Sequence, residues 1–512
     1  MADAVDRGFT VTELASLAQP IAVTRETTAA FVGRALRGPL NDPVLVSSVA
    51  EFRRRFGEAR APSTLGPAIA QFFEHGGARA CVVRVANKAR GAMLCLPASG
   101  SALVLRAVEP GMTERIRAAV DYDGIDDADV VSFNLTLQRI DPATGLVRDQ
   151  EIYRGASIDP ESDASIVGDL NGSAIARAEP PFPTHRPEPT SGRYASAAPP
   201  YVGHAQDGSD GADLTDYDLV GSRRAGTGLF ALEGVPRFDL LYLPPGPDRG
   251  PGPASLLAAE RYCQERGAML IVDPPAGWNG PEAAVRGIEA LDYASPNMLG
   301  YFPALIGRDD GKPLRAPGGA VAGLVCKLDR RFGAWQSLDD AEVLFSRRVA
   351  PAERLNPGHV ATLARAGLNA VVPTGRGGAR LAGNVTLARG GAAPRDFASL
   401  SIRRLVLAVT AAIADGTRWA VFDGDRETVT ERTRAQVAAC LEALVDLGAL
   451  ERVRRVVCDL DAAGSGAGRT RSIEIHIAFD PVGSSRPLAL TLHQSAAGCR
   501  VAATAFGPGA TD

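Results

Sequence analysis

Three aspartates stand where a divalent cation could be held. Asp273 closes the apolar run LIVDPP, and Asp423 and Asp425 follow WAVF. Carboxylates at strand ends supply the oxygen ligands that Mg²⁺ needs, yet the same residues cap helices and start turns, and nothing in their spacing brings the three together. The six histidines (His75, His185, His204, His359, His476 and His493) form no HxxxH or HxH pair, so they read as loop or exposed-strand residues rather than metal ligands. The glycine run GRGGARLAG at 375–383 lacks the lysine of a phosphate loop and opens no apolar-periodic helix. It reads as a tight turn where backbones approach closely. There is no G-x-S-x-G or S-x-x-K for a nucleophile. No catalytic residue, metal or cofactor is expected.

The bulk properties agree with a part that holds rather than transforms. The chain has 512 residues, 45% hydrophobic and 22% charged, which suits a folded protein of two to four domains. A net charge of -4 gives no basic footprint for nucleic acid or for an anionic membrane surface. No apolar run is long enough for a membrane span, and the acidic start MADAVDRGFTVTEL lacks the features of a secretory signal. Seven cysteines, scattered singly and without C-x-x-C, argue for reduced, buried thiols in a cytoplasmic protein.

The elements alternate in type along the chain. Residues 1–20 read as an arm, with Phe9 and Val11 at strand period. Residues 21–95 read as α/β: AAFVG and ACVVRV as strands, SVAEFRRRFG and LGPAIAQFFEHGG as helices closed by glycine. Residues 96–230 read as a β-rich insertion, ending in a run of Pro, Gly, Ser and Asp expected to be an extended surface loop or linker. From 231 the α/β pattern returns. FDLLYLP, PASLLAAERYCQERG and AMLIVDPP make a βαβ unit with a parallel pair, followed by a helix at 280–290 and the strand MLGYFPAL.

Near the C-terminus, Ile402, Leu405, Val406, Val409 and Ile413 mark an amphipathic helix. Arg403 and Arg404 lie at its start, as a solvated face or as interface anchors. WAVF reads as a short strand, and Val429, Val437, Leu441 and Leu444 mark a second helix. Ile473, Ile475, Ile477 and Phe479 alternate with polar residues, as do Leu488, Leu490 and Leu492. The residues after Gln494 read as a tail. The fold class is therefore mixed α/β (α+β): an N-terminal arm, a discontinuous core interrupted by a β-rich inserted domain, and a C-terminal tail.

The order of several motifs resembles the tail sheath proteins of contractile phage tails and contractile injection systems. GFTVTEL, then FVGRALRGPL, SSVAEFRRRFG and FFEHGGARACVVRV, are similar to the family's opening strand and its FVG, RGP, S-x-x-EF-x-x-x-FG and VVRV signatures. In the last 200 residues APGGAVAGLVCKLDRRFGAW, LNPGHVATLARAGLNAVV, GRGGARLAGNVTL, SIRRLVLAV, DGTRWAVF and DPVGSSRPLALTLHQ resemble the family's later segments. This chain departs from the pattern at Phe422-Asp423-Gly424-Asp425, where F-E-P-N is common, and at Leu381 and Asn384, where an aromatic and an arginine are usual. Residues 96–230 match nothing in it.

The resemblance implies a sheath core in two parts, 21–95 and 231–483, with a tube-proximal domain from about 316. It implies an arm at 1–20, an outward insertion at 96–230, and an arm and tail at 484–512. It further implies a structural subunit, not an enzyme, that stacks as hexameric rings around an inner tube and contracts without a nucleotide. Phe9, Val11, Leu488, Leu490 and Leu492 would be arm strands traded between subunits, the strand of Ile473, Ile475 and Ile477 the acceptor, and Arg403 and Arg404 contacts with tube or subunit. Implied partners are the chain itself, a tube protein, baseplate and terminator or cap proteins, and sheath paralogues, with no nucleic acid and no membrane insertion. Assembly in the bacterial cytoplasm and a place in a phage tail or released tail-like particle would follow. Two rivals compete with this reading. The βαβ unit with its acidic strand ends would also suit an α/β hydrolase or phosphotransferase, and the insertion would suit a monomeric adhesion or scaffold protein.

Overall fold

The computed structural model describes residues 20–23, 26–58, 62–190, 201–203, 208–246, 250–291, 294–309, 311–314, 316–339, 343–375, 378–388, 395–422, 426–460, 472–496 and 498–504. They form two compact units, one of residues 27–327 and 341–383, the other of the remaining residues.

The larger unit is built on an eight-stranded sheet. Its order is Ala379–Ala382, Leu368–Pro373, Met298–Phe302, Met269–Val272, Leu240–Tyr242, Ala29–Gly33, Ala80–Arg84 and Val44–Val46. The six inner strands run parallel and each edge strand is antiparallel. Ala29–Gly33, Ala80–Arg84 and Met298–Phe302 are buried along their whole length. Burial on both faces removes the need for alternation, which is why these strands read as plain apolar runs. The expected βαβ unit is present: helix Pro253–Arg266, with proline in its first turn and a left-handed Gly267 after it, joins two parallel strands. MLGYFPAL divides at Pro303 into Met298–Phe302 and Leu305–Gly307, because proline offers no N–H to continue the ladder.

The glycine-rich stretch after residue 316 owes less to turns than its composition suggests. Helix Gly318–Phe332 occupies its start. A Cβ at Gly319 would lie 2.2 Å from the Ala68 carbonyl oxygen, and one at Gly323 would lie 2.4 Å from that of Phe72. Two glycines four residues apart thus line the face on which helix Leu65–Glu74 lies at backbone contact. The 375–383 run does behave as a turn. Gly378 and Gly383 both have positive φ, on either side of Ala379–Ala382, which pairs back on Leu368–Pro373.

Between Ala80–Arg84 and Leu240–Tyr242 the chain makes two three-stranded antiparallel sheets. Gly91–Ala98, Ser101–Pro110 and Ala176–Glu179 form one; Ile116–Asp121, Ser132–Ile140 and Val147–Ser157 form the other. Leu94, Leu105, Ile116, Phe133, Leu135 and Leu137 share one core between them. The described part of the proline-rich run is pinned to these sheets rather than loose. Glu188 N–H donates to Pro97 O at 2.7 Å, Thr190 N–H to Val120 O at 2.9 Å, and Val202 N–H to Ala118 O at 2.8 Å.

Arg84, only 1% exposed, ties this insertion to the central sheet. Its guanidinium donates to the carbonyls of Ala35 (3.2 Å), Gly38 (2.6 Å) and Pro110 (2.7 Å). Burial lowers its pKa to about 10, so it remains a cation solvated by backbone dipoles.

The smaller unit holds helices Leu400–Gly416 and Arg426–Asp446 and a four-stranded antiparallel sheet. Ile402, Leu405, Val409, Val437 and Leu441 pack with Ile473, Ile475, Ile477 and Leu490 in one core. WAVF is not a strand. Residues Arg418–Val421 form a 3₁₀ turn, because the Thr417 N–H and hydroxyl both bond the Ile413 carbonyl and carry the helical curvature past Gly416. Of the expected tail after Gln494, Gly498–Thr504 is instead a fourth strand.

Candidate assembly surface

The sheet of the smaller unit contains the strands singled out as acceptor and arm. Its order is Leu450–Leu460, Ser472–Pro481, Leu488–Ser495, Gly498–Thr504. Period-2 alternation turns Ile473, Ile475 and Ile477 inward at 2% exposure or less, with Leu488, Leu490 and Leu492 at 5% or less beside them. The register sets Ile475 opposite Leu492, Ile477 opposite Leu490 and Phe479 opposite Leu488. In the single chain, then, acceptor and C-terminal arm pair with each other. Ser472–Pro481 is bonded on both sides, so a strand from elsewhere can join it only by replacing one of its present partners. Phe9 and Val11 lie outside the described residues. Where the described chain begins, Ile21 is buried in the core of this same unit and fills the space a Cβ on Gly416 would need.

The two edges of the sheet are guarded unequally. Leu450–Leu460 carries Glu451, Arg452, Arg454 and Arg455 and two register shifts, features that discourage pairing with another chain. Arg452 and Arg454 each donate to Asp480 at 2.6 Å. The hydrogen bond from Arg454 is the largest cause that holds the Asp480 carboxyl below its usual range. Among the described residues Gly498–Thr504 (GCRVAAT) pairs only with Leu488–Ser495, and it carries one charge, Arg500. Beside residues 20–23 a groove of about 520 Å³ runs along Ala435, Ala439 and Ala443 of helix Arg426–Asp446.

Arg403 and Arg404 part company. Arg404 is 5% exposed and its guanidinium donates to Asp329, itself 1% exposed, in a buried ion pair. That makes it an internal tie of the unit, removed from any outer surface. Arg403 is half-buried with its guanidinium 4.6 Å from the Phe397 ring centroid, and burial lowers its pKa to about 10.

Asp273 lies between the hydroxyls of Tyr242 and Tyr301 in the larger unit. Asp423 and Asp425 lie outside the described residues. Among the described residues no three His, Cys, Asp or Glu side chains are placed to hold a metal ion, and no helix is long and apolar enough to cross a membrane. His75 is buried, its Nδ1 2.8 Å from the Gln71 carbonyl. One cluster is invisible in the linear spacing: His493 Nδ1 lies 3.0 Å, and His476 Nε2 3.5 Å, from the Glu474 carboxylate on the outer face of the sheet. Its signal was the antiparallel register that sets Glu474 opposite His493, which linear spacing does not express.

No protein-family model matches this sequence, and no curated protein matches it. Solved structures do. A sheath tail protein from Listeria innocua aligns over 92% of this chain and 95% of its own, with a TM-score of 0.62 at 15% identity. A sheath tail protein from Desulfitobacterium hafniense aligns over 95% and 100%, with a TM-score of 0.54 at 14% identity. The PVC sheath of an extracellular contractile injection system, in its contracted state, aligns over 95% and 96%, with a TM-score of 0.52 at 12% identity. The chain therefore has the fold of contractile-tail sheath proteins. Coverage this high also takes in most of residues 96–230, where the sequence carries no trace of the family pattern.

Proposed function

We propose that this chain is a structural subunit of a contractile sheath, not an enzyme. It stacks as hexameric rings around an inner tube, and contraction drives that tube through a target envelope. The observation that carries this reading is a fold shared, over nearly the whole length of each chain, with sheaths from two bacteria and an injection system. The energy for contraction is stored on assembly, as one set of subunit contacts gives way to a lower-energy set, with no nucleotide involved.

Subunits are linked by strand exchange. The element donated is the C-terminal pair Leu488–Ser495 and Gly498–Thr504, hinged at residues 482–487. Its place beside Ser472–Pro481 is taken by the same element of a neighbour, with the register kept. The arm around Phe9 and Val11 adds at the lightly charged Gly498–Thr504 edge. Arg403 remains a contact residue for tube or neighbour; Arg404 does not. The tube protein, baseplate, a terminator or cap, and sheath paralogues are the partners, with assembly in the bacterial cytoplasm into a phage tail or released particle. The inserted sheets point outward and residues from about 316 lie toward the tube.

Negative-stain electron microscopy of the purified full-length chain tests this. Helical tubules with a hollow lumen are expected. A uniform small particle at every concentration and salt tried, with turnover of a generic ester or phosphate, overturns it.

A further inference from the structure

The aspartate that first suggested a metal site has a different setting in the fold. Asp273 follows strand Met269–Val272 at its C-terminal end. The hydroxyl of Tyr242, at the end of the neighbouring strand on one side, donates to one carboxylate oxygen at 2.5 Å. The hydroxyl of Tyr301, on the neighbouring strand on the other side, donates to the second oxygen at 2.6 Å. The Gly318 backbone, at the N-terminus of helix Gly318–Phe332, lies against the same carboxylate and helps to hold its charge. A Cβ at Gly318 would lie 2.4 Å from the Tyr242 ring and 2.7 Å from the carboxylate, so glycine is required for the helix to close on the group. Both tyrosines are buried, at 1% and 0% exposure. Burial, first, and the adjacent carboxylate hold them well above the ordinary tyrosine range, so both stay donors at every pH of interest. Among the described residues no charged side chain acts on Asp273.

We propose that Asp273, clamped by Tyr242 and Tyr301, is a proton-uptake site that sets how firmly the N-terminus of helix Gly318–Phe332 is held at the strand ends. The ionised form accepts from the two hydroxyls and suits the positive end of a helix. The neutral acid is a weaker acceptor and must direct its own proton toward groups that are already donors.

Burial pushes the carboxyl from 3.8 up to about 6, against the two hydroxyls and the Gly318 backbone, which pull it down. The sign then follows. The folded state takes up the proton more readily than the unfolded chain, so overall stability rises as pH falls from about 6 toward 3.8, and the gain is absent above about 6. The folding equilibrium of this unit gains roughly a hundredfold over that window. The same proton discharges a buried anion and loosens the grip on the helix, so global and local readouts move in opposite directions.

Hydrogen exchange of the full chain, followed by mass spectrometry from pH 5 to 7.5 and corrected for intrinsic exchange, reads the local effect at residues 318–321. Protection there is expected to fall as the pH is lowered, with a one-proton midpoint near 6. Asp273→Asn is expected to hold these amides at the acid value at every pH, and Tyr301→Phe, which removes a donor to the anion, to move the midpoint upward. Glu114→Gln is the control, because Glu114 is also pushed up by burial but belongs to the inserted sheets, and it must leave this readout unchanged. A flat wild-type profile, a transition that survives in Asp273→Asn, or a midpoint unmoved in Tyr301→Phe each overturns the proposal. The last needs only the milder variant to fold. None of these outcomes bears on the sheath reading.

Discussion

Ile475 and Leu492 stand directly opposite each other in the antiparallel ladder of the C-terminal sheet, both fully buried against the two long helices. A short turn joins their strands, so the chain satisfies at home a pairing that a neighbour could supply with the same register.

The pair Ala478 and Ala489 reports on that choice, since they face each other in the same ladder and a cysteine adds little volume at either. In the double variant Ala478→Cys/Ala489→Cys, dilute monomer should cross-link within the chain. Assembled tubes should give a ladder of covalent oligomers on a non-reducing gel. Cross-links confined to single chains in intact tubes would exclude exchange.

Deleting residues 1–14 should leave a folded monomer, judged by circular dichroism and gel filtration, that no longer forms tubes. Deletion from Arg486 onward is a harsher change. It uncovers Ile473, Ile475, Ile477 and Phe479, so that variant should also aggregate or melt early.

Arg404→Met should destabilise the smaller unit by about 3–5 kcal/mol, because Asp329 keeps a buried charge without its partner. Asp329→Leu combined with Arg404→Met should recover most of the loss in a thermal melt. A double variant as unstable as the single one would mean that shape, not charge, matters there.

Arg84→Met should cost the larger unit at least about 3 kcal/mol, since the carbonyls of Ala35, Gly38 and Pro110 lose a charged donor together. Lysine should rescue only in part, because a single ammonium lacks the planar fork that reaches three acceptors. Limited proteolysis at the base of the insertion reads the same loss.

Gly319→Ala should lower the melting temperature more than Gly267→Ala. The first drives a methyl into the Ala68 carbonyl at a helix contact and costs about 1–3 kcal/mol. The second meets nothing within 4 Å and carries only the left-handed φ of 65°, about 1 kcal/mol.

Local and periodic features were legible in the residues alone. Ile473 to Phe479 and Leu488 to Leu492 announce strands because one face must be buried, and Ile402 to Ile413 announce a helix for the same reason at a different period. The buried parallel strands were legible as apolar runs bounded by glycine and proline. WAVF misled because four apolar residues cannot tell a strand from a turn of helix, and the Thr417 bonds that decide it lie outside the run.

What distant residues do to one another depends on packing. Arg404 meets Asp329 across 75 positions, Arg84 meets Pro110 across a change of sheet, and Asp273 meets Tyr242 and Tyr301 from adjacent strands. None of these residues differs in type from a solvated arginine or a capping aspartate. Packing brings them together and removes the water that would otherwise have made them ordinary.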